Sequence, residues 1–184
     1  MSERAVDFYD VKADVVALLS PAQLSFRPEI HPALHPGRSA RLYLDAQPIG
    51  WLGELHPQWC QQYDLAQAPV WFEIQQSAIL RHRVHQMQGI PRFLPVRRDI
   101  AVVVDENVNV QQLFDVMQAA QAPLVVDIEL FDLYRGKGVE PGKKSLAFRV
   151  LLQDTQKTLT DAEIDASMTI LIAALEKEGA QLRI

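Results

Sequence analysis

Hydrophobic residues recur with two distinct periods along the second half of the chain, and these periods predict its elements. Residues 99–104 are β-branched and typical of a strand. Val110, Leu113, Phe114 and Met117 follow the i, i+3, i+4, i+7 spacing of a helix with one apolar face. Residues 125–134 and 145–152 predict two more strands, joined at 135–142 by a loop dense in turn residues.

A second helix is predicted from Thr160, because Thr160 and Glu163 form a capping box. Gly179 suits the end of this helix, and residues 180–184 predict a last strand. Its predicted buried face comprises Ile164, Met168, Leu171, Ile172 and Leu175. The resulting order, βαββαβ, is that of a ferredoxin-like domain. Right-handed crossovers then place both helices on one side of a four-stranded antiparallel sheet and leave the other side open.

Side chains alternate along a strand, so the residues on the open side can be predicted. In the strands 145–152 and 180–184 the even-numbered residues, Leu182 among them, are apolar and are assigned inward. The residues left on the open side are Ser145, Ala147, Arg149, Gln181 and Arg183.

The strand 125–134 changes phase along its length. Upstream, Leu130 belongs to the apolar side; downstream, Phe131 and Leu133 do, which leaves Asp132 and Tyr134 on the open side. A β-bulge between Leu130 and Phe131 would explain the change.

The first half has a looser pattern. It predicts a short strand at 7–11 leading into a helix at 13–19, a hairpin of 41–45 and 49–55, a helix at 58–63, a strand at 70–74 and a helix at 77–84. So small a unit buries little surface alone and resembles part of a larger domain. Pro91 and Pro95 favour a boundary at 85–92, giving an α+β chain with domains at 1–88 and 92–184.

The formal net charge of −5 argues against nucleic acid, but the charges segregate. Five cations lie close together with only Glu140 among them: Arg135, Lys137, Lys143, Lys144 and Arg149. Such a patch binds phosphate even in an acidic domain, although a solvated, lysine-rich hairpin has the same pattern. Beside the patch, the open face presents a tyrosine, an aspartate, a serine and two arginines. This set suits single-stranded RNA; an idle sheet surface is the alternative.

Catalytic and metal-binding patterns are not found. His31 and His35 have the spacing of a zinc helix, but a proline follows each and the general-base glutamate is missing. His82 and His85 are interpreted as a solvated helix end, and Cys60 as a buried small side chain. A single cysteine, no apolar run near ~20 residues and an acidic N-terminal stretch lead us to expect a cytoplasmic protein without a membrane span.

Several segments together resemble a known family. Residues 93–101 (FLPVRRDIA), 131–136 (FDLYRG), 142–147 (GKKSLA) and 158–161 (TLTD) look like successive signatures of the ferredoxin-fold anticodon-binding domain of the bacterial phenylalanyl-tRNA synthetase beta subunit. Upstream, residues 7–12 (DFYDVK), 32–37 (PALHPG) and 50–57 (GWLGELHP) resemble the end of that subunit's synthetase-like module. One departure is Ala13, where the resemblance leads us to expect glycine.

The resemblance implies a part of phenylalanine–tRNA ligase, a class II aminoacyl-tRNA synthetase of two alpha and two beta subunits that uses ATP and magnesium. Residues 1–88 would be part of the non-catalytic class II-like sheet module. The chain itself would hold no catalytic residue, cofactor or metal, and would lack the editing domain. Its partners would be the anticodon stem-loop of the phenylalanine tRNA and the alpha subunit.

The resemblance also implies roles for individual residues. Tyr134 would stack on an anticodon base, while Asp132 and Ser145 would hydrogen-bond to base edges. Arg149 and Arg183 would contact the RNA backbone or a base. Three further RNA-binding residues are predicted from the basic patch and not from the resemblance: Arg135, Lys143 and Lys144.

Two other classes of function stay open. Ferredoxin-like domains also serve as small-molecule regulatory modules, but these need a glycine-rich loop after the first strand, and residues 105–109 (DENVN) offer none. A protein-assembly module that uses the sheet face is the third possibility. Binding to an anticodon stem-loop that weakens with salt separates RNA binding from both.

Overall fold

The computed structural model describes residues 4–80 and 91–183, and the chain divides into two compact units, Met1–Met87 and Gln88–Ile184. Most of the boundary predicted at 85–92 lies outside the described residues, as do His82 and His85. No helix in the described part of the chain is long and apolar enough to cross a membrane.

Within residues 4–80, the first unit forms a four-stranded antiparallel sheet with three helices. Its elements are α1 (Phe8–Leu19), β1 (Leu24–Pro28), β2 (Leu34–Leu44), β3 (Gln47–Leu55), α2 (Pro57–Gln62), β4 (Val70–Ile74) and α3 (Gln76–Leu80). The strands lie in the order β1-β2-β3-β4. The predicted hairpin, short helix and fourth strand are confirmed, with longer hairpin strands. Strand β1 was not predicted, and residues 81–84 of the last predicted helix lie outside the described residues.

The strand predicted at residues 7–11 is wrong, because these residues begin helix α1. The Asp7 side chain accepts hydrogen bonds from the amides of Tyr9 and Asp10, and the Asp10 carboxylate accepts one from the amide of Asp7. This reciprocal capping box fixes the first helical turn. Val11 and Val15 then fall on the buried side, and Ala13 lies inside the helix.

The second unit has the predicted ferredoxin-like topology. Its elements are β5 (Val96–Asp105), α4 (Val110–Ala119), β6 (Val125–Tyr134), β7 (Lys143–Leu152), α5 (Asp161–Lys177) and β8 (Gln181–Leu182). All pairings are antiparallel and the strand order is β6-β7-β5-β8. Both helices contribute to one core on the same side of the sheet. The opposite side is called the open face below.

The core confirms the predicted alternation in β7. Leu146, Phe148, Val150 and Leu152 are fully buried, and the ring of Phe114 meets that of Phe148 edge-on at 5.5 Å between centroids. The capping box of Thr160 and Glu163 is also present at the start of α5. The predicted inward position of Leu182 fails in part, since this side chain is 43% exposed on the short edge strand β8.

The predicted bulge in β6 is present, but Phe131 lies on the other side of it. Leu130 pairs with Phe148 and Asp132 pairs with Ala147, so Phe131 is the extra residue. Because the bulge turns both Phe131 and Asp132 toward the open face, Phe131 is not in the core, and its side chain is 44% exposed. The position of a bulge within an apolar run cannot be read from polarity, which explains the error.

Candidate nucleic-acid interface

The centre of the open face is a connected group of Tyr134, Ser145 and Arg183. Tyr134 ends β6 directly opposite Ser145 on β7. The Arg183 guanidinium lies 5.5 Å from the centroid of the Tyr134 ring, and its Nη1 donates to Ser145 Oγ at 3.1 Å. The backbone amide of Arg183 donates to the carbonyl of Ala101 at 2.8 Å, which anchors the end of the chain beside β5. Strands β6 and β7 and the residue that follows β8 therefore bring an aromatic ring, a hydroxyl and a cation together.

The Tyr134 ring is also held by the loop that follows it. Its Oη donates to the carbonyl of Lys137 at 3.3 Å. Gly136 lies so close that a Cβ added there would stand 2.7 Å from Oη and 3.0 Å from Cζ. The side chain of Tyr134 is thus fixed on two sides, while the residue keeps 38% of its surface exposed.

Ser145 was predicted to lie on the open side, and the structure places it there but covers it. It points to the open side, but it is only 4% exposed because Arg183 lies over it. Its hydroxyl accepts a hydrogen bond from Arg183 and still has a proton to donate. A ligand would therefore reach Ser145 only alongside Arg183.

Asp132 lies next to this group, opposite Ala147, and is exposed. Its carboxylate makes no hydrogen bond with the part of the chain that the structure describes. An unpaired carboxylate accepts hydrogen bonds only, so it can accept them from the amino and imino groups of a base. The bulge at Phe131 is what brings Asp132 to the same side as Tyr134.

Arg149 forms a second group further along β7. Its guanidinium carbon lies 4.5 Å from the centroid of the Phe131 ring. Its Nε and Nη2 donate to the two carboxylate oxygens of Asp99, at 3.2 and 3.4 Å. Neither Phe131 nor Asp99 was predicted as a neighbour of Arg149. The hydrophobic pattern assigned Phe131 to the core. Asp99 lies 50 residues before Arg149 in the sequence, and the two meet only because β5 pairs with β7.

Acidic side chains pair with two cations of the basic patch, Arg135 and Lys143. Arg135 binds Glu106 through Nε and Nη2, at 3.0 and 2.5 Å from Oε1. These bonds lower the pKa of Glu106 below its usual value. Lys143 pairs with Glu140 at 2.7 Å, and this hydrogen bond raises the pKa of Lys143. Both cations are thus partly neutralised before any ligand arrives.

Lys144 does not belong to the basic patch, contrary to the prediction. It occupies an even-numbered position of β7, so it points to the helix side with Leu146, and it is only 7% exposed. Its Nζ donates to the backbone carbonyl of Glu106 at 2.8 Å. Burial lowers its pKa. The structure gives Lys144 a role in fixing the loop after β5 and no access to a phosphate.

Two histidines of the first unit, His31 and His35, stabilise turns. The Nδ1 of His31 accepts from the amide of Ala33, and that of His35 from the amide of Gly37. The His31 ring also packs against Trp51, at 4.7 Å between centroids. Within residues 4–80 and 91–183, no three metal-ligating side chains form a group that could hold an ion. Cys60 is a free, partly buried thiol.

The two units match separate family models. Residues 91–183 match the ferredoxin-fold anticodon binding domain, and residues 1–76 match the phenylalanyl tRNA synthetase beta chain CLM domain.

Curated relatives match almost the whole chain. It is 53% identical over 181 residues to the phenylalanine–tRNA ligase beta subunit of Dechloromonas aromatica, covering 98% of this chain and 23% of the relative. It is 52% identical over 183 residues to that of Chromobacterium violaceum, covering 100% and 23%. It is 46% identical over 180 residues to that of Neisseria gonorrhoeae, covering 98% and 23%. The chain thus spans about a quarter of the length of these relatives.

Proposed function

Because the chain belongs to the phenylalanyl-tRNA synthetase beta-chain family, with a ferredoxin-fold anticodon binding domain in its second unit, we propose that its open face binds the anticodon stem-loop of the phenylalanine tRNA. The observation that carries the proposal is the connected group of Tyr134, Ser145 and Arg183, with Asp132 beside it. Single-stranded RNA is recognised by stacking on exposed aromatic rings and by hydrogen bonds to base edges.

Each member of the group has a distinct part in the proposal. Tyr134 offers a ring that is already held by Gly136 and by the carbonyl of Lys137, so a stacking base need not order it. Asp132 accepts hydrogen bonds from the edge of that base, and the Ser145 hydroxyl donates one. Arg183 supplies positive charge to the adjoining phosphate while keeping its contact with the ring.

The paired cations favour recognition of the loop sequence over general attraction to RNA. Arg135 and Lys143 are paired with Glu106 and Glu140, and Lys144 is buried. We therefore propose that Arg135 and Lys143 make weak phosphate contacts, and we leave Lys144 out of the RNA-binding set.

The intact protein is proposed to be the beta subunit of phenylalanine–tRNA ligase, paired with an alpha subunit and located in the cytoplasm. The ligase would use ATP and magnesium. The described residues provide no group of ligands that fits magnesium, so in this proposal other parts of the enzyme hold both and carry the ligation chemistry.

We also propose that the division at 1–88 and 92–184 separates two folding units. The segment 89–184 produced alone should then be soluble and unfold cooperatively in urea. If this segment is unfolded while the whole chain is folded, the boundary is misplaced.

The experiment that tests the function compares two RNA stem-loops with the same stem. One carries the phenylalanine anticodon loop, and the other has the loop bases replaced. Binding of the whole chain to the first should be tighter at every salt concentration, and both should weaken with salt. Equal binding of the two RNAs, or no binding, would contradict the proposal and favour a protein-assembly or small-molecule role.

A further inference from the structure

The guanidinium of Arg149 is fixed in place without any ligand. It rests over the ring of Phe131, 4.5 Å from the centroid, and is held by two hydrogen bonds to Asp99. Even so, 38% of the Arg149 side chain stays exposed. The bulge of β6 supplies the ring, and the pairing of Asp99 with Arg149 across β5 and β7 supplies the carboxylate. Arg149 and Phe131 together are called the platform below.

A cleft of about 220 Å³ opens beside the platform. Its lining combines two cations, two acids and one apolar side chain: Arg97, Arg149, Asp127, Glu129 and Leu151. Glu129 lies opposite Arg149 on the neighbouring strand, and Asp127 lies opposite Leu151. The carboxylates therefore stand along one wall, next to the flat cation.

This chemistry selects a base and disfavours a phosphate. A guanidinium plane stacks on nucleobases, as aromatic rings do. The carboxylates of Asp127 and Glu129 only accept hydrogen bonds, so they favour a base edge that donates. Together with Asp99 they place three negative charges beside the two positive charges of Arg97 and Arg149, which opposes an anion.

We propose that the platform and its cleft form a second nucleotide subsite, which prefers a nucleobase carrying an amino group, that is adenine, cytosine or guanine, over uracil, whose single edge donor, N3–H, lies between two carbonyl oxygens that the carboxylates repel. This inference rests on the proposed function and extends it from one base to two.

The spacing along β7 indicates how the RNA would reach both sites. Ser145, beneath the first site, and Arg149 are four residues apart, or about 13 Å at ~3.3 Å per residue. Bases stacked in a helix are separated by only about 3.4 Å along the axis. The second base is therefore splayed away from the one on Tyr134, in the manner of a single-stranded loop spread on a protein surface.

The first test separates stacking from simple charge. Arg149→Ala and Phe131→Leu should each weaken binding of the whole chain to the phenylalanine anticodon stem-loop roughly tenfold. Arg149→Lys should lose as much as Arg149→Ala, because lysine keeps the charge but has no plane. Arg98→Ala is the matched control, because Arg98 lies on the helix side of the same sheet. This variant should bind the stem-loop with normal affinity.

The second test identifies the base. Each loop nucleotide of the stem-loop in turn is replaced by uridine, and binding is measured with the unaltered chain and with Arg149→Ala. At one position, uridine should lower the affinity of the unaltered chain roughly tenfold but leave that of Arg149→Ala unchanged, because the base change and the Arg149 change remove the same contact.

Three outcomes would overturn the subsite while leaving the first site standing. The first is normal RNA binding by Arg149→Ala. The second is normal RNA binding by Arg149→Lys when Arg149→Ala binds weakly. The third is that the losses in affinity caused by uridine and by Arg149→Ala add at every loop position. The second outcome would make Arg149 a phosphate contact. A chain that fails to bind the stem-loop at all overturns the proposed function itself, and the subsite with it.

Discussion

The replacement Gly136→Ala tests whether the position of the Tyr134 ring matters for RNA binding. The added methyl would lie 2.7 Å from Oη, 3.0 Å from Cζ and 3.5 Å from Cε2 of Tyr134. The first two distances are shorter than van der Waals contact, so the ring or the loop must move. Gly136 lies in an exposed loop outside the core, so the free energy of unfolding should fall by only about 1 kcal/mol, from the strain of alanine at a positive φ.

The expected loss of RNA affinity follows from the free energy of stacking one base on an aromatic ring, about 1–3 kcal/mol. A displaced ring keeps part of that interaction, so we predict a loss near the lower end, roughly tenfold in Kd at about 1.4 kcal/mol per decade. The measurement is fluorescence anisotropy of a labelled phenylalanine anticodon stem-loop at fixed salt, with urea unfolding of both proteins in parallel.

Gly138→Ala is a close control in the same loop. Both glycines have positive φ angles, 158° for Gly136 and 94° for Gly138, so alanine meets an unfavourable backbone conformation at either position. Only at Gly136 does the methyl reach Tyr134, because nothing lies within 4 Å of the position at Gly138. Gly138→Ala should bind RNA normally. Equal losses in the two variants, or normal binding by Gly136→Ala, would refute the reasoning.

Three further predictions concern the core, the basic loop and the capping box. Phe148→Ala should lower the free energy of unfolding in urea by about 3–5 kcal/mol, since this ring is fully buried; a loss below about 1 kcal/mol would mean that the faces of the sheet are reversed. Lys143→Ala should weaken RNA binding modestly for any sequence and reduce its salt dependence. Lys144→Met should leave the salt dependence unchanged because Lys144 is buried. Equal slopes of log affinity against log salt concentration for the two variants would contradict this difference. Hydrogen bonds from Lys157 and Thr160 lower the pKa of Glu163 from 4.5 to about 2. The ionised Glu163 therefore contributes its full stabilisation above pH 4.5 and loses it as the pH falls toward 2. Glu163→Gln should weaken this pH dependence in acid unfolding curves, and an unchanged curve would show that the charge contributes nothing.

Local pattern was sufficient to predict most of the second unit. The alternation around Phe148 gave the buried side of β7, and the capping box at Thr160 gave the start of α5. The same alternation also places Lys144 inward, since it shares its parity with Leu146. That signal was present in the sequence, and grouping the lysines by charge alone overlooked it.

Errors arose where long-range contacts or backbone detail decide the outcome. Phe131 faces outward because the bulge falls one residue later than the apolar pattern indicates. The partners of Arg149 and Arg135, Asp99 and Glu106, are distant in sequence and meet them only through sheet pairing and the loop after β5. In the first unit, residues 7–11 begin a helix and not a strand because Asp7 caps it.

The central claim is that the open face binds the anticodon loop by stacking on Tyr134, and Tyr134→Ala tests it most directly. The account predicts a loss of roughly ten- to a hundredfold in affinity for the phenylalanine anticodon stem-loop, with urea unfolding little changed. Tyr134→Phe keeps the ring and gives up only the 3.3 Å hydrogen bond to Lys137, so it should retain most of the affinity. Normal binding by Tyr134→Ala, in a folded protein, would contradict the account.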